Sequence, residues 1–281
     1  MSRLIKNEIK STAHYMMGIY VATIVTIGLL MLAFITKIKW LVGISGLLIA
    51  VVPFLLFFFT IYSVIRNFAS SLYGKEGYLS FTLPVKGGKL LASKTIVSVL
   101  WMLVSYFIMV GVILGGIYYI SVQTADNEGI QMIKELLGNF INMPNKGVLV
   151  LTGLFLGVYY FLQMLVFIAD IYFAITLANV RPFQNHNVAW GIAFSFLFFI
   201  PTYVVNVILT NRFPFAFILT ADDVGIVYES MTVPNEHSAY LPSDGGWMFK
   251  FGIGGMILQL IVSAALLYLT AYLINRKTNV K

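Results

Sequence analysis

The sequence contains no cysteine and few charged residues. Its 281 residues include no Cys, and Asp, Glu, Lys and Arg together make up only 10% of the chain. The absence of cysteine excludes disulfides, thiolate metal sites and a cysteine nucleophile. Hydrophobic residues make up 59%, and one soluble core in a chain of this length cannot bury that much apolar surface. The composition therefore predicts an integral membrane protein.

Residue patterns that carry catalysis or bind metals are also missing. The histidines, His14, His186 and His237, stand far apart, so no pair has the spacing of metal ligands. The sequence lacks both H-E-x-x-H and the phosphate-binding pattern G-x-x-x-x-G-K-[ST]. We therefore expect no catalytic residue, no metal and no cofactor in this chain, and we do not expect it to be an enzyme.

Apolar runs of membrane-spanning length account for most of the chain. A helix needs about 20 apolar residues to cross a hydrocarbon core of ~30 Å. Six runs meet this requirement, at residues 16–36, 41–65, 96–120, 147–178, 189–211 and 251–275. They predict an all-α membrane protein with six transmembrane helices in a single domain that covers residues 1–281.

Basic residues are distributed unevenly among the segments between these runs. If the N-terminus is cytoplasmic, that side holds twelve of the eighteen Lys and Arg residues with two acids, and the other side holds six with eight acids. Cytoplasmic loops are enriched in Lys and Arg, so both termini are predicted to be cytoplasmic. Loops 121–146 and 212–250 are then extracellular. Because topology explains the net charge of +7, we expect no nucleic-acid partner.

A long basic segment, residues 66–95, separates the second and third runs. It contains a Gly-Lys-Glu-Gly turn, the apolar stretch YLSFTL, Pro84 and a pair of glycines. A fully solvated loop does not need these apolar side chains, which indicate packing against membrane-proximal protein or a docked partner. We predict a short helix along the membrane surface here.

The stretch LYGKEGYLSFTLPVKGGKLLASK resembles the first cytoplasmic loop of ABC-2 type permeases, the membrane subunits of bacterial ATP-driven exporters. In that family an EG turn precedes LP and a basic run that enters the third span, and the loop forms a coupling helix seated in a separate ATPase subunit. A small inner loop makes a second, minor contact with the ATPase. The resemblance implies these coupling roles for Leu72, Tyr73, Lys75, Glu76, Gly77, Tyr78, Leu83, Pro84 and Arg181.

The resemblance also implies partners, location and cargo. It implies cytoplasmic ABC ATPase subunits that bind ATP and Mg²⁺, a second identical or related permease, and a multi-pass position in a bacterial plasma membrane. Together with 23 Phe and 16 Tyr, it implies export of an amphipathic or apolar cargo such as a peptide, antimicrobial, lipid or drug. By analogy the first, second and fifth spans line the path, with Tyr20, Thr23, Thr26, Phe57, Thr60, Phe198, Tyr203 and Asn206 as candidate lining residues.

The segment before the sixth run carries a short apolar stretch, FPFAFIL at residues 213–219. It is too short to cross a bilayer. It resembles the re-entrant or outer-leaflet helices that ABC-2 permeases place before their last span. We therefore expect helix here, with Phe213, Phe215 and Phe217 in the outer interface.

Glycines recur four residues apart inside two of the apolar runs. Gly111, Gly115 and Gly116 and, further on, the pair Gly153 and Gly157 form G-x-x-x-G patterns, for which we favour packing within the chain over a subunit interface.

Asp170 is the single acidic residue inside the six runs. Ionisable groups in a membrane are candidates for function. Because it lies near the inner end of its run, we favour pairing with an inner Lys or Arg over a proton relay.

A non-ABC secondary transporter and a non-transporting immunity or sensor subunit remain open alternatives to the exporter permease.

Overall fold

Six long helices form most of the protein. The structure, a computed structural model, describes residues 1–35, 38–74, 87–124, 146–180, 186–213, 215–219, 224–227, 239–240 and 248–276, and single residues 131, 134, 138 and 183. The helices are α1 (Ser2–Ile35), α2 (Lys39–Tyr73), α3 (Gly87–Thr124), α4 (Lys146–Ala178), α5 (Asn187–Arg212) and α6 (Ile253–Arg276). All six are long and apolar enough to cross a membrane, which confirms the prediction of six helices of membrane-spanning length.

Four short strands lie between α5 and α6. They are β1 (Ala216–Leu219), β2 (Val224–Val227), β3 (Ala239–Tyr240) and β4 (Met248–Gly252), and they form an antiparallel sheet in the order β2-β1-β4-β3. The described chain is almost entirely helical, as predicted, but this sheet departs from an all-α fold, and the prediction of a helix at residues 213–219 was wrong.

The sequence of this stretch explains why it forms a strand. Residues 215–219 form a short, continuous apolar run that follows a proline, and such a run is consistent with a buried strand. The run is too short to form a stable helix by itself, whereas β1 satisfies its backbone by pairing with β2 on one side and β4 on the other. Phe217 also stacks on Phe155 of α4, with ring centroids 4.2 Å apart, so the sheet packs against a membrane helix.

The chain divides into two compact units. The first contains residues 1–137 and 280–281 and therefore includes α1, α2 and α3, which all pack against one another. Its core includes large side chains that are almost fully buried, among them Met16, Leu56, Phe68 and Met102.

The second unit, residues 138–279, contains α4, α5, the sheet and α6. Helix α4 packs against both α5 and α6. Ala169 and Phe173 of α4 form a core cluster with Leu266 of α6, and a neighbouring cluster joins Ala178 to Phe194 of α5. The membrane helices of this unit thus share a core built around the second half of α4.

Helices α1 to α3 are longer than a membrane requires. They contain 34, 35 and 38 residues, or roughly 51–57 Å at about 1.5 Å per residue, against a hydrocarbon core of ~30 Å. Each extends beyond its apolar run at the same end of the unit, because α1 and α3 begin there and α2 ends there. We call these extensions, residues 2–15, 66–73 and 87–95, the stalk.

Of the five glycines in these patterns, one lies in close contact with a neighbouring helix in the described part of the chain. A Cβ atom added at Gly111, Gly115, Gly153 or Gly157 would meet no described atom within 4 Å, so the expected packing within the chain is not seen at these positions. Gly116 differs, because an added Cβ there would lie 2.6 Å from Cγ2 of Ile49 on α2. This single glycine lets α2 and α3 approach closely.

Candidate functional site

The stalk contains a buried ion pair that joins its three helices. The Nζ atom of Lys94 on α3 lies 2.7 Å from Oε1 of Glu8 on α1. The side-chain amide of Asn67 on α2 donates to the same oxygen at 2.8 Å. Lys94 is only 3% exposed and the Glu8 side chain 13%, so both charges are largely removed from water. One carboxylate therefore holds all three helices together.

Two further layers of hydrogen bonds continue along the unit from this pair. Trp101 Nε1 donates to Thr12 Oγ1 at 2.9 Å, and Thr12 in turn donates to the carbonyl of Glu8 at 2.8 Å. In the next layer Ser105 Oγ on α3 lies 2.9 Å from the Tyr20 hydroxyl and 2.8 Å from Oγ1 of Thr60.

We call this set the polar column: Glu8, Thr12, Tyr20, Thr60, Asn67, Lys94, Trp101 and Ser105. It follows α3 for roughly 17 Å, from Lys94 to Ser105. Thr60 and Ser105 are fully buried, and each hydroxyl has a partner. Paired polar groups in an apolar surrounding are costly to separate, because each loses its partner without regaining water. The column therefore fixes the relative positions of α1, α2 and α3.

The polar column lies at the base of the predicted coupling loop. Asn67 comes shortly before the end of α2 at Tyr73, and Lys94 shortly after the start of α3 at Gly87. Both helical stems of the loop are thus bonded to Glu8. The predicted coupling residues Lys75, Glu76, Gly77, Tyr78, Leu83, Pro84 and Arg181 lie outside the described residues, and their role stays a prediction.

The two remaining coupling candidates lie at the end of α2. Leu72 is fully buried, so it packs inside the unit, and direct contact of its side chain with a partner would require the stalk to open. Tyr73 is half-buried, and its ring meets that of Phe68 edge to face at a centroid distance of 6.3 Å.

The predicted path residues of the first unit lie on two different surfaces. Tyr20 and Thr60 point towards α3 and belong to the polar column. Thr23 and Thr26 line a groove of about 520 Å³ between α1 and α2, which we call the α1–α2 groove. Phe57 is half-buried on α2. Of these predicted path residues, Thr23 and Thr26 line the same groove.

The predicted path residues of the second unit lie on α5. The ring of Phe198 packs edge to face on Phe173 of α4 at 5.1 Å, in the core of the unit. Tyr203 is 59% exposed and stacks on Phe199. Asn206 is half-buried and accepts a long hydrogen bond, 3.5 Å, from the Thr210 hydroxyl. A role of these residues in a path stays a prediction.

Asp170 on α4 and Gln259 on α6 carry buried polar atoms without partners. They are 3% and 2% exposed. Oδ1 of Asp170 and both side-chain polar atoms of Gln259 have no hydrogen-bond partner in the described part of the chain. No described Lys or Arg pairs with Asp170, and Arg181 lies outside the described residues, so the expected ion pair stays a prediction.

Most of the polar column was missed in the sequence. Glu8 is the single acid among the first 75 residues, where it stands among Arg3, Lys6 and Lys10. On α3 the polar side chains recur at helical spacing, at Lys94, Ser98, Trp101 and Ser105. A polar stripe with this period on an apolar helix indicates a buried network, and it is the signal that sequence reasoning passed over. No sequence feature marked Gln259.

Comparison with known proteins identifies no relative. No protein family, no curated protein and no solved structure matches this chain.

Proposed function

We propose that this chain is the membrane-spanning permease subunit of an ATP-binding cassette exporter. It moves an amphipathic or apolar cargo out of a bacterial cell, and separate cytoplasmic ATPase subunits supply the energy. The proposal is supported by the six membrane-length helices and by the resemblance of residues 66–95 to an ABC-2 coupling loop. Both termini and this loop then lie in the cytoplasm, as the distribution of Lys and Arg indicates.

The observation that carries the proposal is the polar column at the stems of the loop. An exporter subunit must pass the movement of an ATPase to its membrane helices. Glu8 joins the α2 stem through Asn67 and the α3 stem through Lys94. A push on residues 75–86 therefore acts on α1, α2 and α3 together.

The proposed mechanism follows from this connection. Two permeases, identical or related, face each other above two ATPase subunits. ATP-driven closure of the ATPases moves residues 75–86, and the stalk transmits that movement to the membrane-embedded parts of α1 to α3. Hydrolysis then resets the unit, so the two orientations of the stalk correspond to two states whose populations ATP shifts.

Co-purification tests the proposal. The chain is isolated from native membranes in mild detergent, and bound proteins are identified and assayed for ATP hydrolysis. We expect an ATPase with the wild type, and loss of it with Glu76→Lys and Leu83→Asp, which change the predicted docking surface. Glu128→Lys, a matched charge reversal in a predicted extracellular loop, should retain the ATPase. Absence of an ATPase from every sample would refute the proposal.

A secondary transporter is the second candidate. It is favoured by the buried polar atoms of Asp170 and Gln259 that have no hydrogen-bond partner among the described residues. A buried carboxylate without a partner can take up a proton or a cation, as ion-coupled transporters require. In proteoliposomes without any ATPase, this candidate predicts pH-gradient-driven movement of protons or cargo that Asp170→Asn abolishes. The exporter proposal predicts no such movement with either protein.

A further inference from the structure

The α1–α2 groove has a polar mouth and an apolar interior. His14 and Tyr15 lie at one end, and Thr26 and Val52 lie at the other. From His14 to Thr26 the groove follows α1 for roughly 18 Å. Its volume of about 520 Å³ is within the range of ligand sites, which is ~300–1,000 Å³.

The interior presents hydrocarbon although it contains two threonines. The hydroxyl of Thr23 donates to the carbonyl of Ile19 at 2.9 Å, and that of Thr26 donates to Ala22 at 2.8 Å. Both hydroxyls are thus satisfied by their own helix. The other interior residues, such as Leu55 and Phe59, are apolar. An apolar chain can fill this space without leaving a polar group unpaired.

The mouth lies where lipid headgroups are expected. The apolar run of α1 begins at residue 16, directly after His14 and Tyr15, and the apolar run of α2 ends at residue 65, directly before Arg66. The Arg66 guanidinium lies 6.0 Å from the centroid of the Tyr15 ring, which places its charge at the mouth. The groove therefore runs from the membrane interface into the hydrocarbon of one leaflet, whose depth is roughly 15 Å.

The charge at the mouth is positive and not neutralised within the described helices. Lys10 precedes His14 by one helical turn, so it lies on the same face of α1 as the mouth, and Arg66 approaches from α2. Glu8, the single acid in α1, α2 and α3, already pairs with Lys94. An anionic headgroup therefore meets two cations and no unpaired carboxylate from α1, α2 or α3.

We propose that the α1–α2 groove binds one anionic phospholipid, with an acyl chain along the groove and the phosphate beside Arg66, Lys10 and His14. Arginine binds phosphate with paired N–H donors, and basic residues at the membrane surface favour anionic lipids. This inference needs only a chain that spans a membrane, so it stands independently of the ATPase and of the cargo.

Native mass spectrometry with defined lipids tests the proposal. The delipidated chain is titrated in detergent with phosphatidylglycerol or with phosphatidylcholine of the same acyl chains. We expect one phosphatidylglycerol per chain and at least roughly fivefold weaker binding of phosphatidylcholine. Arg66→Gln should weaken phosphatidylglycerol roughly fivefold. Lys89→Gln, the matched loss of an exposed stalk cation on α3, which contributes no lining residue to the groove, should leave binding unchanged.

A pair of glycine substitutions tests the groove itself. Gly18 lines the groove and Gly28 does not, yet a Cβ at either position would meet no described atom within 4 Å. Gly18→Leu should fill the groove and weaken phosphatidylglycerol at least roughly tenfold. Gly28→Leu, the control on the same helix, should bind like the wild type.

Equal binding of both lipids, or equal binding by Gly18→Leu and Gly28→Leu, would overturn the proposal. A dimer or a bound peptide that is lost only in Gly18→Leu would show that another occupant fills the groove. Phosphatidylglycerol with a diazirine in its acyl chain tests the unmodified protein, where crosslinks should map to the peptides that contain Thr26 and Val52. Crosslinks elsewhere would contradict the proposal whether or not the variants fold.

Discussion

At the scale of single residues, the buried pair of Glu8 and Lys94 links all three helices of the first unit. Each partner compensates the other's loss of water, and Asn67 adds a neutral donor. Removing one charge leaves the other buried and unpaired, whereas removing both removes the cost as well as the attraction. The pair therefore predicts a strong departure from additivity.

Lys94→Leu should lower the free energy of unfolding by about 3 kcal/mol, the lower end of the range for a broken buried pair, since Glu8 keeps Asn67 as a donor. The double variant Glu8→Leu with Lys94→Leu should recover at least half of that loss. Denaturation in mixed micelles measures both. Lys89→Leu, on the exposed side of the same helix, is the control and should change stability by less than about 0.5 kcal/mol. Additive effects of the two substitutions would contradict a direct ion pair.

Replacing Asp170 by an apolar residue should stabilise the protein, because Oδ1 of its carboxyl has no described partner. An unsatisfied buried polar group costs about 1–3 kcal/mol, so Asp170→Leu should raise the free energy of unfolding by an amount in that range. Asp170→Asn keeps a polar group and should gain less. Both are measured by the same denaturation assay. Loss of stability in the leucine variant would mean that Asp170 has a partner outside the described residues, such as Arg181.

The sequence could predict some of these residues and not others. Asp170 was found because a single acid in an apolar run is conspicuous. Lys94 was assigned to a surface loop, because Lys and Arg next to a span usually face water and mark topology. Its burial depends on Glu8, which lies 86 residues away in the sequence, and no local pattern reveals such a pairing.

At the scale of elements, the six helices were predictable and their lengths were not. Hydropathy identifies the residues that match the hydrocarbon core, but it does not register polar residues that continue the same helix. The polar segment before residue 16 is the start of α1. Its helical extension is stabilised by contacts of Glu8 and Thr12 with α2 and α3.

The short sheet was missed for a related reason. Two of its strands, β2 and β3, contain four and two residues, so their periodicity is too short to stand out. The partner of β1 on its other side is β4, which lies next to α6. Family resemblance favoured helix, although a continuous apolar run of this length is equally consistent with a strand.

Close contact between α5 and α6 gives a prediction for a glycine. A Cβ at Gly254 would lie 2.5 Å from Cβ of Phe213 and 2.8 Å from the carbonyl of Leu209. Because a backbone atom cannot rotate away, Gly254→Ala should destabilise the second unit by about 1–3 kcal/mol. Gly157→Ala, at an open helical position on α4, should be neutral or stabilising by up to about 1 kcal/mol. The reverse order of stability in a denaturation assay would contradict this packing.

At the scale of the whole molecule, each unit contributes three membrane helices, and only the first carries the polar column. In the proposed exporter the first unit receives movement from the ATPase through residues 75–86. The second unit contains the sheet. It also contains the buried polar atoms of Asp170 and Gln259 that have no hydrogen-bond partner among the described residues. A mostly helical fold with membrane-length helices was predictable from composition, whereas the short sheet and this division of features depend on contacts between distant residues.

Crosslinking from the coupling loop tests the central proposal most directly. A photoreactive phenylalanine analogue replaces Tyr78 in the predicted coupling loop or, as a control, Tyr240 in the predicted extracellular segment. After irradiation of native membranes, adducts are purified and identified by mass spectrometry. We expect an adduct with a P-loop ATPase from position 78 and none from position 240. No ATPase adduct from position 78, or the same adduct from both positions, would contradict the account.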